Sequence, residues 1–84
     1  MNDWLITFRS VTFAQKGEKA LKKAGIDSRM QRTPRMLSER GCGYCLRVRG
    51  AEVMPAVLLL REDEIDFEKT YALSERGEPE ERKL

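Results

Sequence analysis

Two cysteines, Cys42 and Cys45, are the only thiols of the chain, and both fall in Arg40-Gly41-Cys42-Gly43-Tyr44-Cys45-Leu46. A thiolate is both a nucleophile and a metal ligand, and nearby cations lower a thiol's pKa by favouring its charged form. Arg35, Arg40, Arg47 and Arg49 can each supply that field, with Arg40 nearest in sequence. Glycine at 41 and 43 lets Cys42 sit in an exposed turn and lets a partner come close. The CxxC spacing admits three further readings. A disulfide needs α-carbons about 4.4–6.8 Å apart, whereas residues three apart in a strand are separated by roughly 10 Å, so Cys42 and Gly43 would have to leave strand geometry. Structural zinc wants four ligands, so a metal would need a symmetric dimer pooling four cysteines; we assign no metal ligands within one chain. Both cysteines could also serve only as small apolar residues.

The remaining composition narrows the chemistry. Histidine is absent, which removes the usual general base along with Cys/His, Ser/His and His-metal arrangements. At 84 residues the chain reads as one small domain with no room for a large buried substrate cavity, and 40% hydrophobic with 36% charged residues fits a soluble globular protein. No apolar run approaches the roughly 18 residues needed to span a bilayer, and the N-terminus has no basic signal region, so we expect a cytoplasmic protein with no membrane contact. Cysteines in that reducing compartment are thiols, ligands or a transient redox pair before they are a staple. The net charge of +2 hides a polarity: residues 1–50 carry 11 Lys/Arg against 4 Asp/Glu, and residues 51–84 carry 5 against 10.

The elements that must position the thiols follow from the apolar pattern. Trp4 to Arg9 is aromatic and β-branched and reads as a first strand, with Trp4, Ile6 and Phe8 on one face. Ser10 or Thr12 can cap the helix that follows, and Thr12 with Gln15 matches a capping box. That helix runs to about Ala24 and stops at Gly25, with Phe13, Gly17, Ala20, Leu21 and Ala24 as its buried stripe; Gly17 suggests close packing on a sheet. Ile26 to about Gln31 reads as a polar edge strand. The connection from Arg32 to Gly41 holds Pro34 and residues enough for one helical turn, and is longer than a hairpin needs. Tyr44 to Arg49 alternates as a third strand, with Tyr44, Leu46 and Val48 facing one way and Cys45, Arg47 and Arg49 the other. A second helix near Pro55 uses Val53, Met54, Val57, Leu58 and Leu60, and Phe67 to Leu73 is a fourth strand. We expect residues 74–84 to be a charged, disordered tail beyond a single domain at 1–73.

This order, βαββαβ, predicts an α+β fold: a ferredoxin-like split β-α-β sandwich with two helices on one face of a four-stranded antiparallel sheet. Leu5, Thr7, Arg9, Cys45, Arg47 and Arg49 then share the open face, and Cys42 lies where a loop enters the third strand. The stretches Leu5 to Ser10, Glu18 to Ile26, Pro34-Arg35 and Cys42-Gly43 resemble the small bacterial family of selenium/sulfur carrier-like proteins, whose short motif is a Pro-Arg followed some residues later by a Cys-Gly that opens a strand. The resemblance spans most of residues 4–73. It implies a domain of unknown function, cytoplasmic and without a cofactor, that holds sulfur or selenium on a cysteine and passes it between donor and acceptor proteins. Carried onto this chain, the motif falls on Pro34, Arg35, Cys42 and Gly43, which makes Cys42 the acceptor; Arg35, with Arg40 as the arginine nearest Cys42 in sequence, would stabilise an anionic persulfide or selenide. Gly43 and Arg47 are further binding residues. In that family pattern the position of Cys45 is commonly small or aliphatic, so its role as a resolving thiol rests on the residues alone.

Two other classes compete with the carrier, which is more a binding protein than an independent enzyme. Ferredoxin-like sheets with basic faces can be RNA platforms, but these stack bases on aromatics of the central strands, and Cys45, Arg47 and Arg49 include none. An interaction or regulatory module with structural cysteines would use the same open face to pair with a larger enzyme or, as a homodimer, with a second copy.

Overall fold

The computed structural model describes residues 2–37 and 43–84. Strand β1 (Trp4–Phe8) is followed by helix α1 (Val11–Lys23), strands β2 (Ser28–Arg32) and β3 (Tyr44–Val48), helix α2 (Val53–Glu62), and strands β4 (Thr70–Leu73) and β5 (Pro79–Glu81). The sheet has the order β2-β3-β1-β4-β5, and every neighbouring pair is antiparallel. The first four strands of that row stand in the order expected of a split β-α-β arrangement. The expectation of four strands is corrected by β5, which lies in the stretch read as a tail. Its sequence, Pro-Glu-Glu, has no apolar alternation to announce it; the turn makes it instead. Ser74 Oγ accepts from the amides of Arg76 and Glu78, Gly77 N donates to Ser74 O, and the returning chain pairs Glu81 with Tyr71.

Local chemistry sets the boundaries. Ser10 caps α1 by accepting from Phe13 N at 3.4 Å; Thr12 already lies inside the first turn, so the Thr12–Gln15 box is not the cap. At the other end Gly25 takes φ +78° and Ile26 N donates to Leu21 O, which spends the Ile26 amide on the helix and delays β2 to Ser28. Before β4, Glu68 N donates to Thr7 O, Thr7 N to Lys69 O and Lys69 N to Thr7 Oγ1, so residues 68 and 69 both pair with the single Thr7 and regular pairing begins only at Thr70.

Both helices cover one face of the sheet. Ile6, Phe8, Leu46 and Val48 from the strands pack there with Ala14, Leu21, Val53, Ala56, Val57 and Leu60 from the helices and with Ile26. Gly17 is the point of closest approach: a β-carbon there would stand 3.1 Å from Phe8 Cζ and 3.3 Å from Leu46 and Leu60 methyl carbons. The close packing inferred from this glycine is therefore present. Phe13 and Ala20 are only half-buried and Ala24 is exposed, because the stripe that faces the sheet runs through Ala14, Gly17 and Leu21. On α2 the expected stripe is also corrected. Val53, Ala56, Val57 and Leu60 face the sheet, while Met54 and Leu58, a third of a turn away, point outward at 46% and 55% exposure.

Candidate functional site: the thiol region

The face of the sheet away from the helices is covered at its centre. Leu5, Cys45, Tyr71 and Leu73 form a second buried cluster there, and Leu37 packs against it from the β2–β3 connection. Thr7 is buried beside them and bonded to both ends of the Lys69 peptide. The expectation of an open face across Leu5, Thr7 and Cys45 is corrected by this arrangement, whereas Arg9, Arg47 and Arg49 are exposed. The physical reason lies in the length of the connection: after Thr33 and Pro34 it makes a 3-10 turn, Arg35–Leu37, which delivers Leu37 onto apolar residues of three strands.

The predicted site residues fall in different surroundings. Cys42 and Arg40, with Gly41, lie outside the described residues. Gly43 does not: its carbonyl accepts from Thr33 N at 3.1 Å, which carries the β2–β3 ladder one step past Tyr44. Its φ of +138° is a conformation that side chains rarely adopt, so glycine is needed at the residue that follows Cys42. Arg35 is exposed at the start of the 3-10 turn. Arg47 stands opposite Arg29 across β2–β3, a like-charge pairing that costs stability when unrelieved, and its Nε donates to Asp3 Oδ2 at 2.7 Å.

Cys45 is fully buried, paired in register with Thr7 on one side and Gln31 on the other. Its Sγ faces Arg32 O at 4.0 Å. Burial raises the thiol pKa from 9.0 to about 11; the Thr33 hydroxyl, the Gln31 side chain and the charge of Arg47 pull it back only in part. The Thr33 hydroxyl is near enough to favour the thiolate, yet among the described residues it has no hydrogen-bond partner of normal geometry. Cys45 is thus a neutral thiol held among apolar side chains, a poor nucleophile in the folded chain.

Sequence reasoning missed Gln31, Thr33 and Leu37 as the surroundings of Cys45. Pairing a strand at 28–32 with one at 44–48 would have placed Gln31 opposite Cys45, and Leu37, like Met36, was an apolar residue of the connection with no assigned partner. Among the described residues no three His, Cys, Asp or Glu side chains gather to hold a metal ion, and no helix is long and apolar enough to cross a membrane. A shallow cleft of about 450 Å³, whose lining does not include Cys45, is formed by Arg61, Phe67, Lys69 and Glu81 among others, with Lys69 and Glu81 3.7 Å apart.

These features define a small α+β domain in which Cys45 is buried with Leu37 packed against its cluster, and in which the residue after Cys42 is a glycine of special conformation. A family model described as "Putative Se/S carrier protein-like" matches residues 3–72, and the chain belongs to that family. No curated protein and no solved structure matches it.

Proposed function

We propose that this chain is a cytoplasmic sulfur/selenium carrier, built on a ferredoxin-like frame with one added edge strand, in which Cys42 holds the chalcogen for transfer to a partner protein. The observation that carries this reading is the burial of Cys45. Of two thiols in a family named for carrying sulfur or selenium, one is apolar-packed with its pKa raised to about 11, so the chemistry falls to Cys42. The Cys42 thiolate attacks the outer sulfur of a donor's persulfide. A Cys42–sulfur bond forms, the donor's sulfur–sulfur bond breaks, and the donor leaves as a thiolate with no net oxidation; an acceptor reverses the step. A selenium atom bound in the same way on a donor thiol follows the same balance. Gly43 supports this reading because its φ of +138° demands glycine next to Cys42, and Arg35 and Arg40 would supply positive charge for the anionic adduct. Arg47, exposed although paired with Asp3, is a further contact for the partner.

Intact-mass measurement after incubation with a cysteine desulfurase and cysteine tests the proposal. The wild type and Cys45→Ala gain one sulfur atom, released by a reducing thiol, and Cys42→Ala gains none. A Cys42→Ala chain that still loads, or a wild type that never does, overturns it.

A further inference from the structure

The helical layer carries a broad surface that the carrier reading leaves unused. Helix α2 is apolar on two sides. One side is the core; the other presents Met54, Pro55 and Leu58, all exposed, and exposed Ala51 of the 3-10 turn before the helix stands next to them in sequence. An exposed stripe of this kind marks an interaction surface.

Charge says what covers it. Each helix doubles back along the strand before it, and β1 and β3 are antiparallel, so α1 and α2 lie side by side in opposite directions. The exposed lysines of α1, Lys16, Lys19, Lys22 and Lys23, run from its middle to its C-terminus, next to the start of α2. The exposed acids Glu62, Asp63 and Glu64 close the far end of α2. The layer is therefore basic at one end, apolar in the middle and acidic at the other. A nucleic acid or an anionic membrane would suit the first end and be repelled by the last, and a uniformly acidic protein fails in the same way. A surface with the same polarity reversed matches both ends.

We infer that the partner on this face is a second copy of the chain, docked about a two-fold axis that passes through the Met54–Leu58 stripe. The two α2 stripes meet at the axis. On each side of it the Lys19, Lys22 and Lys23 end of one copy faces the Glu62, Asp63 and Glu64 end of the other, as an isologous interface requires. The broad face of a body 29 × 28 × 19 Å is of the order of the ~800 Å² that each partner gives to a standard interface. The dimer forms through the helices and not through the sheet face, whose centre Leu37 already covers.

Sedimentation equilibrium of the full chain from micromolar to millimolar concentration tests this. The wild type dimerises, more weakly at high salt, and Leu58→Glu raises the dissociation constant at least about tenfold. Reversal of the basic end (Lys19, Lys22 and Lys23 to Glu) and reversal of the acidic end (Glu62, Asp63 and Glu64 to Lys) each give a monomer. Their mixture restores a heterodimer, because both charge contacts become attractive again. All the changed residues are exposed, and unchanged circular dichroism and melting confirm that each variant is folded. A wild type that stays monomeric overturns the inference, whether or not it shifts on mixed-sequence RNA. A dimer that ignores Leu58→Glu and both reversals overturns it too. None of these outcomes depends on whether Cys42 loads sulfur.

Discussion

The two faces of the sheet are sealed by very different means. On one, two helices bury a continuous core of strand and helix residues, with Gly17 letting α1 come down onto Phe8 and Leu46. On the other, four buried side chains are covered by Leu37 at the end of a three-residue turn, and Cys45 is one of the four. A cysteine under a helix would be locked away by the whole fold. Cys45 is kept neutral by burial in a small cluster whose cover, Leu37, comes from a connecting segment and not from a helix. The difference gives Cys45 a structural place, in a thin second core, and under the proposed carrier role it leaves transfer to Cys42.

The comparison breaks most severely on the helical side. Leu46→Ala removes a fully buried side chain where β3, Gly17 and Leu60 meet, and should cost about 2–5 kcal/mol by chemical denaturation. A loss below about 1 kcal/mol would mean that this face is not the main core. The opposite face is sharpened by pH. The Cys45 thiol is held neutral in the folded state, with its pKa raised from 9.0 to about 11. Its contribution is fully present below pH 9, where folded and unfolded chains both keep the proton. Above pH 9 the unfolded chain ionises first, so stability falls until about pH 11, where the folded thiol ionises as well. The wild type should therefore lose more stability than Cys45→Ala across that window, measured by denaturant titration at each pH. Parallel curves for the two would show that Cys45 is not sealed.

Much of this frame was legible in the sequence because apolar alternation reports burial directly. Ile6, Phe8, Leu46 and Val48 alternate and face the helices, and Gly17 announced the close approach it makes. What alternation could not show is whether a face that carries arginines is covered. Arg47 and Arg49 made the far side of β3 look open, while the residue that closes it, Leu37, sits in a connection without periodicity. Strand β5 escaped for a similar reason, since Pro79, Glu80 and Glu81 are held by a serine-centred turn and by pairing to β4, and neither leaves a hydrophobic signature. On α2 both apolar stripes were visible as one, and only the position of the sheet separates Val57 and Leu60 from Met54 and Leu58. For the thiols, the split between Cys42 and Cys45 followed from strand parity, but the depth of Cys45 needed Leu5, Tyr71 and Leu73 to be brought around it.

The central claim is that the two thiols are unequal in the folded chain. Alkylation of native protein at neutral pH, with the modified peptides resolved by mass, measures this directly. Cys42 should be labelled readily and Cys45 only once the chain is unfolded. Equal labelling of both residues in the native state, or labelling of Cys45 first, would contradict the account.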